Sequence, residues 1–452
     1  MQTIQPPGPE GRFPVGNLLQ YARDPLGFLT RCSRRYGDVV RLRIPSLPPV
    51  FLVSNPDFIE QVLVKENRNF VKDRDTRYVL RFLGNGLLTN EGASWRHQRR
   101  MAQPAFHRER VSAYGKTMVS YAQRMLAGWK DGEPRDVHAD MMRLTLEIVA
   151  ECLFGKNVSA EETEAVAEAL AEIMERSNEQ GNNLLLRAIP DAVPTPSNLR
   201  LRAAVRRLDE VIHGIIGDRR RRREDGYEDG GDLLSMLLGA RDEDGNPMGD
   251  PQLRDEVITV LTAGHETTAV SLSWTFRLLS DHPEVEARLL AELRDVLGRR
   301  PPTAGDLPRL RYTRMVVKES MRLYPPVWAV GREALQEFDL GGFRIPAGAQ
   351  MILSQWVVHR DPRHFEEPSR FDPARWADGL EKLIPKYAYF PFGGGPRLCV
   401  GSSFAAMEAV LLLATTARRF RVEVSKHYVA RPQPSITLRP KGGLPATLRA
   451  RE

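Results

Sequence analysis

The segment from Phe392 to Gly401 restricts what this chain can fold into more than any other stretch of its sequence. It reads Phe-Gly-Gly-Gly-Pro-Arg-Leu-Cys-Val-Gly, and an apolar run follows it directly. Three glycines before a proline predict a tight turn, and glycine lets a flat ligand approach closely because no Cβ intrudes. Cys399 precedes a predicted helix, where backbone N–H groups and the helix dipole favour a thiolate. Arg397 adds a nearby positive charge, so the segment suits a thiolate that binds iron.

The three cysteines of the chain, Cys32, Cys152 and Cys399, stand far apart. An odd number at such spacings is no disulfide framework and fits a reducing compartment. The sequence lacks a Cys-x-x-Cys pair, which argues against zinc ribbons and thioredoxin-like redox sites and excludes c-type haem attachment. Taken alone, Cys399 would be interpreted as a buried structural cysteine, whereas the residues around it favour a ligand.

Composition and charge leave several kinds of partner open. Hydrophobic residues make up 42% and charged residues 27% of the 452 residues, an ordinary globular balance. The formal net charge of +7 would suit an acidic protein, a nucleic acid or an anionic membrane. Five consecutive arginines, 219–223, are interpreted as a solvated helix end because no aromatic residues interleave with them. We therefore expect no nucleic-acid binding.

No targeting or membrane segment is predicted. The first ten residues hold neither the basic nor the apolar region of a signal peptide. Nowhere do about 18 uncharged apolar residues run together, as a spanning helix requires. We therefore expect a cytoplasmic protein without a membrane span.

Hydrophobic periodicity predicts a mainly helical chain with a small strand-rich part. Alternating runs at 39–44 and 50–53 are predicted as paired strands, and Asn55 before Pro56 as a helix start. The pattern is helical almost throughout 95–300. The later predictions are helices at 252–281, 304–324 and 402–420, and strands within 333–358.

The complete spacing Phe-x-x-Gly-x-Arg-x-Cys-x-Gly resembles the haem-binding signature of the cytochrome P450 superfamily. The resemblance implies the mainly α cytochrome P450 fold, with haem b (iron protoporphyrin IX) between the central long helix and the cysteine-loop helix. It implies a single domain over 1–452, with a small β-rich portion at approximately 26–70 plus 333–358 and a large helical portion elsewhere. The loop residues expected at the haem are Cys399 as the axial iron ligand, Phe392, Gly393, Arg397 and Gly401.

Glu319-Ser-Met-Arg322 matches the family's Glu-x-x-Arg motif. Residues three apart share one helical face, so the two charges can meet. A buried ion pair needs further partners to offset its desolvation, and the resemblance implies Arg375, in Phe-Asp-Pro-Ala-Arg-Trp, as that partner. Without this context the spacing would indicate a surface ion pair. The trio is expected to be structural.

Ala263-Gly-His-Glu-Thr267 lies in the predicted apolar helix 252–281 and resembles the family's oxygen-activation motif. Small residues at Ala263 and Gly264 leave space for a planar cofactor and dioxygen. Thr267 follows Ala263 by four residues, so its hydroxyl is expected to bond back to that carbonyl. Glu266 is expected to relay protons. The alternative is a small-residue helix crossing with a satisfied threonine.

Trp95 and Arg99 stand about one turn apart on a predicted helix. An indole N–H and a guanidinium both suit a carboxylate. The resemblance implies that they hold a haem propionate and that Arg332, which a strand follows, is another propionate partner. The alternative is a solvent-exposed basic helix.

Substrate-pocket residues are expected before the Trp95 helix, on the central helix, after the Glu319 helix and near the end of the chain. Most are apolar and no arginine stands out among them, which favours a large neutral or weakly polar substrate. The alternative is that several simply pack the core. They are Val79, Phe82, Leu87, Leu88, Ala263, Thr267, Val327, Trp328, Val330 and Ile436.

The implied activity is that of a haem-thiolate monooxygenase that uses O2 to hydroxylate or epoxidise a lipid-like molecule of the fatty acid, terpenoid or carotenoid class. We expect no fused flavin or ferredoxin domain, and therefore a separate ferredoxin or flavodoxin with its NAD(P)H reductase. Arg96, Arg100 and Arg397 are expected to dock that acidic protein. A monomer is expected. The alternatives are a peroxide-using peroxygenase, which the Glu266–Thr267 pair disfavours, and a non-catalytic haem sensor.

Overall fold

The computed structural model describes residues 5–44, 48–79, 81–155, 160–182, 189–190, 192–225 and 231–451. Within these residues helices predominate, as the hydrophobic pattern predicts. The α-helices are α1 (Leu18–Arg23), α2 (Pro25–Tyr36), α3 (Pro56–Glu60), α4 (Arg74–Val79), α5 (Gly92–Ala102), α6 (Arg108–Ala113), α7 (Gly115–Ala127), α8 (Val137–Phe154), α9 (Ala160–Asn182), α10 (Pro196–Glu224), α11 (Leu233–Gly239), α12 (Asp250–Asp281), α13 (Pro283–Leu297), α14 (Arg311–Leu323), α15 (Gln355–Val358), α16 (Leu380–Leu383) and α17 (Ser402–Arg419).

Short strands form a minor part of the molecule. They are β1 (Val39–Leu42), β2 (Val50–Val53), β3 (Phe70–Val71), β4 (Pro134–Asp136), β5 (Val330–Ala334), β6 (Phe338–Leu340), β7 (Phe343–Ile345), β8 (Gln350–Leu353), β9 (Phe420–Val424), β10 (Pro432–Pro434), β11 (Leu438–Pro440) and β12 (Pro445–Ala450). The main sheet has the order β1-β2-β8-β5-β3, with β8 parallel to β2 and antiparallel to β5. It therefore joins strands from distant parts of the chain.

The central helix α12 is buried along most of its length. It starts after Gly249 with Pro251 in its first turn, where a proline costs no hydrogen bond. It packs against α8, α14 and α17. Because neighbours enclose it, apolar side chains such as Leu261, Ala269 and Trp274 occur around the helix instead of along one stripe.

Helix α17 begins at Ser402, directly after the cysteine loop. Its residues 407–417 are buried against α7, α12 and α14. Its last turn carries Arg418 and Arg419, where cations complement the helix dipole. Since α17 follows Gly401 without a linker, its packing on α12 fixes where the loop lies.

Several local predictions are confirmed and some need correction. Asn55 caps α3, and its Oδ1 accepts the N–H of Asp57 at 2.8 Å. The helix predicted at 304–324 begins only at Arg311, because a 3-10 turn closed by Thr303 and Asp306 precedes it. The strand pattern predicted to 358 ends at Leu353, since 355–358 form α15.

The prediction of a solvated arginine run is wrong for Arg219. Helix α10 continues through the run to Glu224, and Arg219 is 6% exposed. It donates to Asp232 Oδ2 at 2.6 Å and to the carbonyl of Phe154 at 2.5 Å. Arg219 follows the buried Ile212, Ile215 and Ile216 at helical spacing, so the apolar face of α10 carries it inward.

Candidate functional site

The cysteine loop folds back on itself through its backbone. Cys399 N–H donates to the carbonyl of Phe392 at 3.0 Å. Gly393 and Gly395 have φ angles of +73° and +65°, a region that favours glycine. A side chain on Gly395 would also collide with the carbonyl oxygen of Leu63. The tight turn predicted from the sequence therefore depends on its glycines.

Cys399 differs from the other two cysteines in its accessibility. Its residue surface is exposed, whereas Cys32 and Cys152 are buried. Nearby protein atoms still desolvate the thiol, and this burial raises the pKa of Cys399, which the Gly401 N–H and Arg99 offset only in part. A raised pKa favours the neutral thiol, but a bound metal cation would favour the thiolate instead because it stabilises the negative charge directly. The thiol is therefore accessible and suited to a metal.

One face near the middle of α12 is accessible. Ala263 is exposed and Thr267 is half-buried, whereas most of their neighbours are buried. Thr267 Oγ1 donates to the carbonyl of Ala263 at 2.8 Å, as its spacing predicts. Gly264 lies elsewhere, because a Cβ there would lie 3.0 Å from Cγ2 of Val149 on α8. Gly264 therefore does not border the accessible face. Its small size allows α12 and α8 to approach each other closely.

Glu266 is buried and contacts Thr437 and Arg439, which lie near the C-terminus. It is 1% exposed, and its Oε1 lies 2.5 Å from Arg439 Nε and accepts the Thr437 hydroxyl. Burial alone would raise the pKa of Glu266, but Arg439 and Thr437 outweigh it and lower that pKa. His265, one residue earlier, is buried with Nδ1 3.1 Å from the carbonyl of Leu261.

Cations gather around one half-buried acid, Glu91, beside the cysteine loop. Arg397 lies over the ring of Trp95, with 3.7 Å from its guanidinium carbon to the centroid, and pairs with Glu91. Lys72 Nζ lies 3.2 Å from Glu91 Oε1. Burial, with the charges of Arg397 and Arg332 nearby, lowers the pKa of Lys72 to about 8 although Glu91 opposes the shift. Arg397 therefore points into this cluster and not towards a docking surface.

Positive charge exceeds negative charge in this cluster. Lys72, Arg332 and Arg397 face the acids Glu91 and Asp73, and burial raises the pKa of Asp73. Uncompensated cations that are partly removed from water are costly, so ligand carboxylates would fit here. With the accessible thiol nearby, the donor set fits haem: a thiolate for the iron and cations for the propionates.

Lys72 and Glu91 are site residues that no sequence motif predicted. Neither residue stands in a recognisable pattern, and their contact joins positions 19 residues apart in the chain. Arg99 was predicted as a propionate partner, and its Nη1 donates to the carbonyl of Leu398 at 3.0 Å, directly before Cys399. The structure thus places Arg99 against the cysteine loop itself.

Glu319 on α14 is the centre of a buried hydrogen-bond network. Its Oε1 accepts from Arg322 Nη2 at 2.8 Å and from Arg375 Nε at 2.9 Å. Its Oε2 accepts from Trp376 Nε1 at 2.9 Å, and Arg322 also donates to the carbonyl of His359 at 2.9 Å. Both partners of the fully buried pair are thus satisfied. The structure brings the predicted trio together and adds Trp376.

The residues expected to line a substrate pocket fall into two groups. Trp328 packs against a cluster of α2, β1 and β2 residues, and its Nε1 donates to the carbonyl of Ser435 at 2.8 Å, whereas Val330 begins strand β5 of the main sheet. Val327 is half-buried, and the side chain of Val79 lies outside the described part of the chain. The group that packs against one apolar cluster beside α12 is Phe82, Leu87, Leu88 and Ile436.

A groove of about 540 Å³ opens beside the cysteine loop. Phe392, Leu398 and Val410 contribute to its mainly apolar lining. Arg314, Lys318 and Lys386 also line the groove, together with Glu381. The lining is therefore mainly apolar, with more basic than acidic side chains.

The accessible Cys399 before α17, the threonine on the open face of α12 and the cation cluster around Glu91 are the features of a haem-thiolate enzyme. The family model described as Cytochrome P450 matches residues 6–445. The chain belongs to the cytochrome P450 family and is a monooxygenase of that family. The mainly α P450 fold implied by the motifs is thereby confirmed.

Similar proteins include two from Streptomyces that cover nearly the whole chain. Cyclooctatin synthase of Streptomyces melanosporofaciens is 36% identical over 97% of this chain and 96% of its own length. Pentalenene oxygenase of Streptomyces avermitilis is 36% identical over 92% of this chain and 91% of its own. LUTEIN DEFICIENT 5, chloroplastic, of Arabidopsis thaliana is 30% identical over 86% of this chain and 68% of its own.

Among the residues that the structure describes, no helix combines the length and the apolar character needed to cross a bilayer.

Proposed function

We propose that this monooxygenase carries haem b, whose iron the Cys399 thiolate would bind, and inserts one oxygen atom of O2 into an apolar, lipid-like substrate, with a terpenoid as the first candidate. The observation that carries the proposal is the accessible thiol of Cys399 in a glycine turn at the start of α17. When bound, the haem supplies the activation of dioxygen, which the thiolate promotes.

The residues of the chain bind, orient and move protons. Lys72, Arg332 and Arg397, with Trp95 beneath Arg397, would neutralise the two propionates. Arg99 would hold the loop before Cys399 through the Leu398 carbonyl.

On α12, the small side chain of Ala263 would leave room for the cofactor and dioxygen, and the Thr267 hydroxyl would hold a proton at Oγ1. Glu266 is the nearest acid along the helix that can supply it. The back-bond to Ala263 fixes the Thr267 hydroxyl and makes a polar notch in an apolar wall.

The terpenoid class has two supports. The residues that pack together beside α12 are apolar, which suits a large hydrocarbon skeleton. Two similar proteins are named cyclooctatin synthase and pentalenene oxygenase. Fatty acids and carotenoids share this apolar chemistry and are the next candidates.

Electrons would come from a separate acidic protein of the ferredoxin or flavodoxin type. The groove beside the cysteine loop has Arg314 and Lys386 in its lining, and the exposed Arg96 lies close enough to Arg397 to lower its pKa. Complementary charge steers such transient partners together.

The ligand assignment is tested by reducing the purified protein, adding carbon monoxide and recording the Soret difference spectrum. We expect a strongly red-shifted band, its loss in Cys399→Ser and its retention in Cys32→Ser, a buried cysteine near the N-terminus. A red-shifted band that persists in Cys399→Ser, or well-folded wild-type protein without haem absorbance, would contradict the assignment.

A further inference from the structure

The segment 84–90, which leads into α5, is bonded through its backbone to the N-terminal part of the central helix α12. Asn85 N–H donates to Asp255 Oδ2 at 2.6 Å, and Leu87 N–H donates to Glu256 Oε2 at 3.1 Å. Neighbouring carboxylates on one helix thus accept alternate N–H groups of the segment. The main chain of the segment is therefore fixed relative to α12.

Two further contacts restrict the same segment. Gly86 is buried, and a side chain there would collide with the carbonyl of Asp255 and the hydroxyl of Thr259. On the other side, Gln98 Nε2 on α5 donates to the carbonyl of Asn85 at 3.0 Å. The segment is therefore held between α5 and α12, in direct contact with the central helix.

Glu256 lies on the side of α12 that carries the accessible residues. Residues four and seven positions apart share one face of a helix. Val260 and Ala263, which follow Glu256 at these spacings, are less buried than most of their neighbours. Seven residues make about two turns, or about 10 Å along the axis. Leu87 is therefore held at the N-terminal end of the accessible face.

The bond at Leu87 also fixes two apolar side chains. Leu87 and Leu88 are half-buried, and both pack against the apolar cluster beside α12 that Phe82 and Ile436 also contact. A shift of the main chain at Leu87 would move both leucines together. Their position therefore decides how far an apolar molecule can extend along α12 from Ala263.

Burial of Glu256 is unfavourable for an acid. The residue is 1% exposed, and burial raises its pKa to about 7, although the Leu87 N–H and Gln252, whose Nε2 lies 2.8 Å from Oε1, oppose the shift. An apolar side chain at this position would avoid the desolvation of a carboxyl group. What the carboxylate adds is the acceptor for the Leu87 N–H.

We propose that Glu256 is a positioning residue that sets the far wall of the substrate site. By accepting the Leu87 N–H, it holds Leu87 and Leu88 at the N-terminal end of the accessible face of α12 and so limits the length of the apolar molecules that fit. The inference rests on the proposed function, because it takes that face to border the substrate.

The first measurement is amide hydrogen exchange of the holoenzyme, followed by mass spectrometry of peptides that cover 84–90. Glu256→Met keeps the approximate length of the side chain and removes the acceptor. It should raise exchange at Leu87 about 10-fold, as the loss of one buried hydrogen bond predicts. Glu256→Gln keeps a carbonyl acceptor and should retain the wild-type exchange.

The second measurement uses N-alkylimidazoles of increasing chain length, whose binding to haem iron shifts the Soret band. Each additional buried methylene should strengthen binding about fourfold until the chain meets Leu87. In Glu256→Met this gain should continue to longer chains, so that the longest probes bind on the order of 10-fold more tightly than they bind wild-type protein. Glu256→Gln should keep the wild-type length limit. A merely structural role would not move that limit.

A matched control is Glu292→Met, because Glu292 on α13 also accepts backbone N–H groups. Its oxygens accept the N–H of Tyr312 at 2.6 Å and that of Thr313 at 2.8 Å. This variant should raise exchange at those two residues and leave the length limit unchanged. If Glu256→Met fails to fold, Glu256→Ala leaves room for a water that accepts the Leu87 N–H without holding the segment, and it should show the same longer limit.

Unchanged exchange at Leu87 in Glu256→Met, or faster exchange with the wild-type length limit, would overturn the inference. The carbon monoxide spectrum of the same samples separates these results from a failure of the proposed function. Either result with a thiolate spectrum rejects the role of Glu256 alone, whereas wild-type protein without a thiolate spectrum rejects the proposed function.

Discussion

At the scale of single residues, Glu408 shows how strongly burial can change an acid. It lies on α17, nine positions after Cys399, and is fully buried. Burial raises the pKa of Glu408 to about 8, and the hydroxyl of Thr268 offsets little of this shift. Near neutral pH the folded protein therefore keeps a proton that the unfolded chain has released. Such a group makes the protein less stable as pH rises.

We expect Glu408→Gln to remove this pH dependence. Relative to the variant, wild-type protein should lose about 1.4 kcal/mol of unfolding free energy for each pH unit between the unfolded and folded pKa values, about pH 4.5 to pH 8. Denaturant unfolding across that window measures the difference. Glu164→Gln, at an exposed position of α9, should follow wild-type protein throughout. Parallel wild-type and Glu408→Gln curves would contradict a protonated Glu408.

Residues whose roles follow from local spacing were predictable, and residues whose roles depend on distant contacts were not. The hydroxyl bond of Thr267 and the pairing of Glu319 with Arg322 lie within one helical turn, so their spacing indicated them. Arg439 reaches Glu266 across 173 positions, and Lys72 meets Glu91 through the tertiary fold. The spacing of residues in a single sequence does not indicate which distant side chains come into contact in the folded protein.

At the scale of elements, the cysteine loop requires at Gly395 both a left-handed backbone and the absence of a side chain. Gly395 combines a positive φ with close approach to the backbone of Leu63. Gly298, after α13, has a φ of +55°, but a Cβ added there would meet no heavy atom within 4 Å. Substituting each glycine in turn separates backbone strain from steric collision. Gly298 has the positive φ of Gly395, but a side chain at Gly298 would meet no neighbouring atom.

Gly395→Ala should therefore displace the loop and reduce haem incorporation, measured as the ratio of haem absorbance to protein. Gly298→Ala should lower the unfolding free energy by about 1 kcal/mol, through the left-handed backbone alone, and keep the wild-type haem ratio. Equal haem ratios in the two variants would show that the contact with Leu63 does not position Cys399.

Element boundaries were less predictable than element identity. The helix at 304–324 was expected too early because Thr303 and Asp306 close a separate turn there, with Arg300 donating to Asp306. The sequence predicted a β-rich portion drawn from two distant parts of the chain, and the main sheet joins strands from 39–71 and 330–353. Their order and the parallel pairing of β2 with β8 arise from tertiary packing, which periodicity does not encode.

At the scale of the whole molecule, the formal net charge of +7 suits an acidic partner but does not by itself identify a docking surface. Arg96 is exposed on α5, the helix that also carries Trp95 and Arg99 of the candidate haem site. Arg100, on the same helix, is exposed and pairs with Glu243. A partner that reached this helix would stand near the cysteine loop, because Arg99 contacts Leu398.

Charge reversal tests this surface directly. Arg96→Glu with Arg100→Glu should slow reduction by an acidic ferredoxin on the order of 10-fold at low ionic strength, since long-range attraction sets the encounter rate, and added salt should narrow the gap. Stopped-flow spectroscopy under carbon monoxide measures the rate. Arg34→Glu, exposed on α2 beside the main sheet, should leave the rate unchanged. A double variant that is reduced as fast as wild-type protein at low salt would place the docking surface away from α5. The charges of Arg314 and Lys386, which line the groove beside the cysteine loop, would then be the next to reverse.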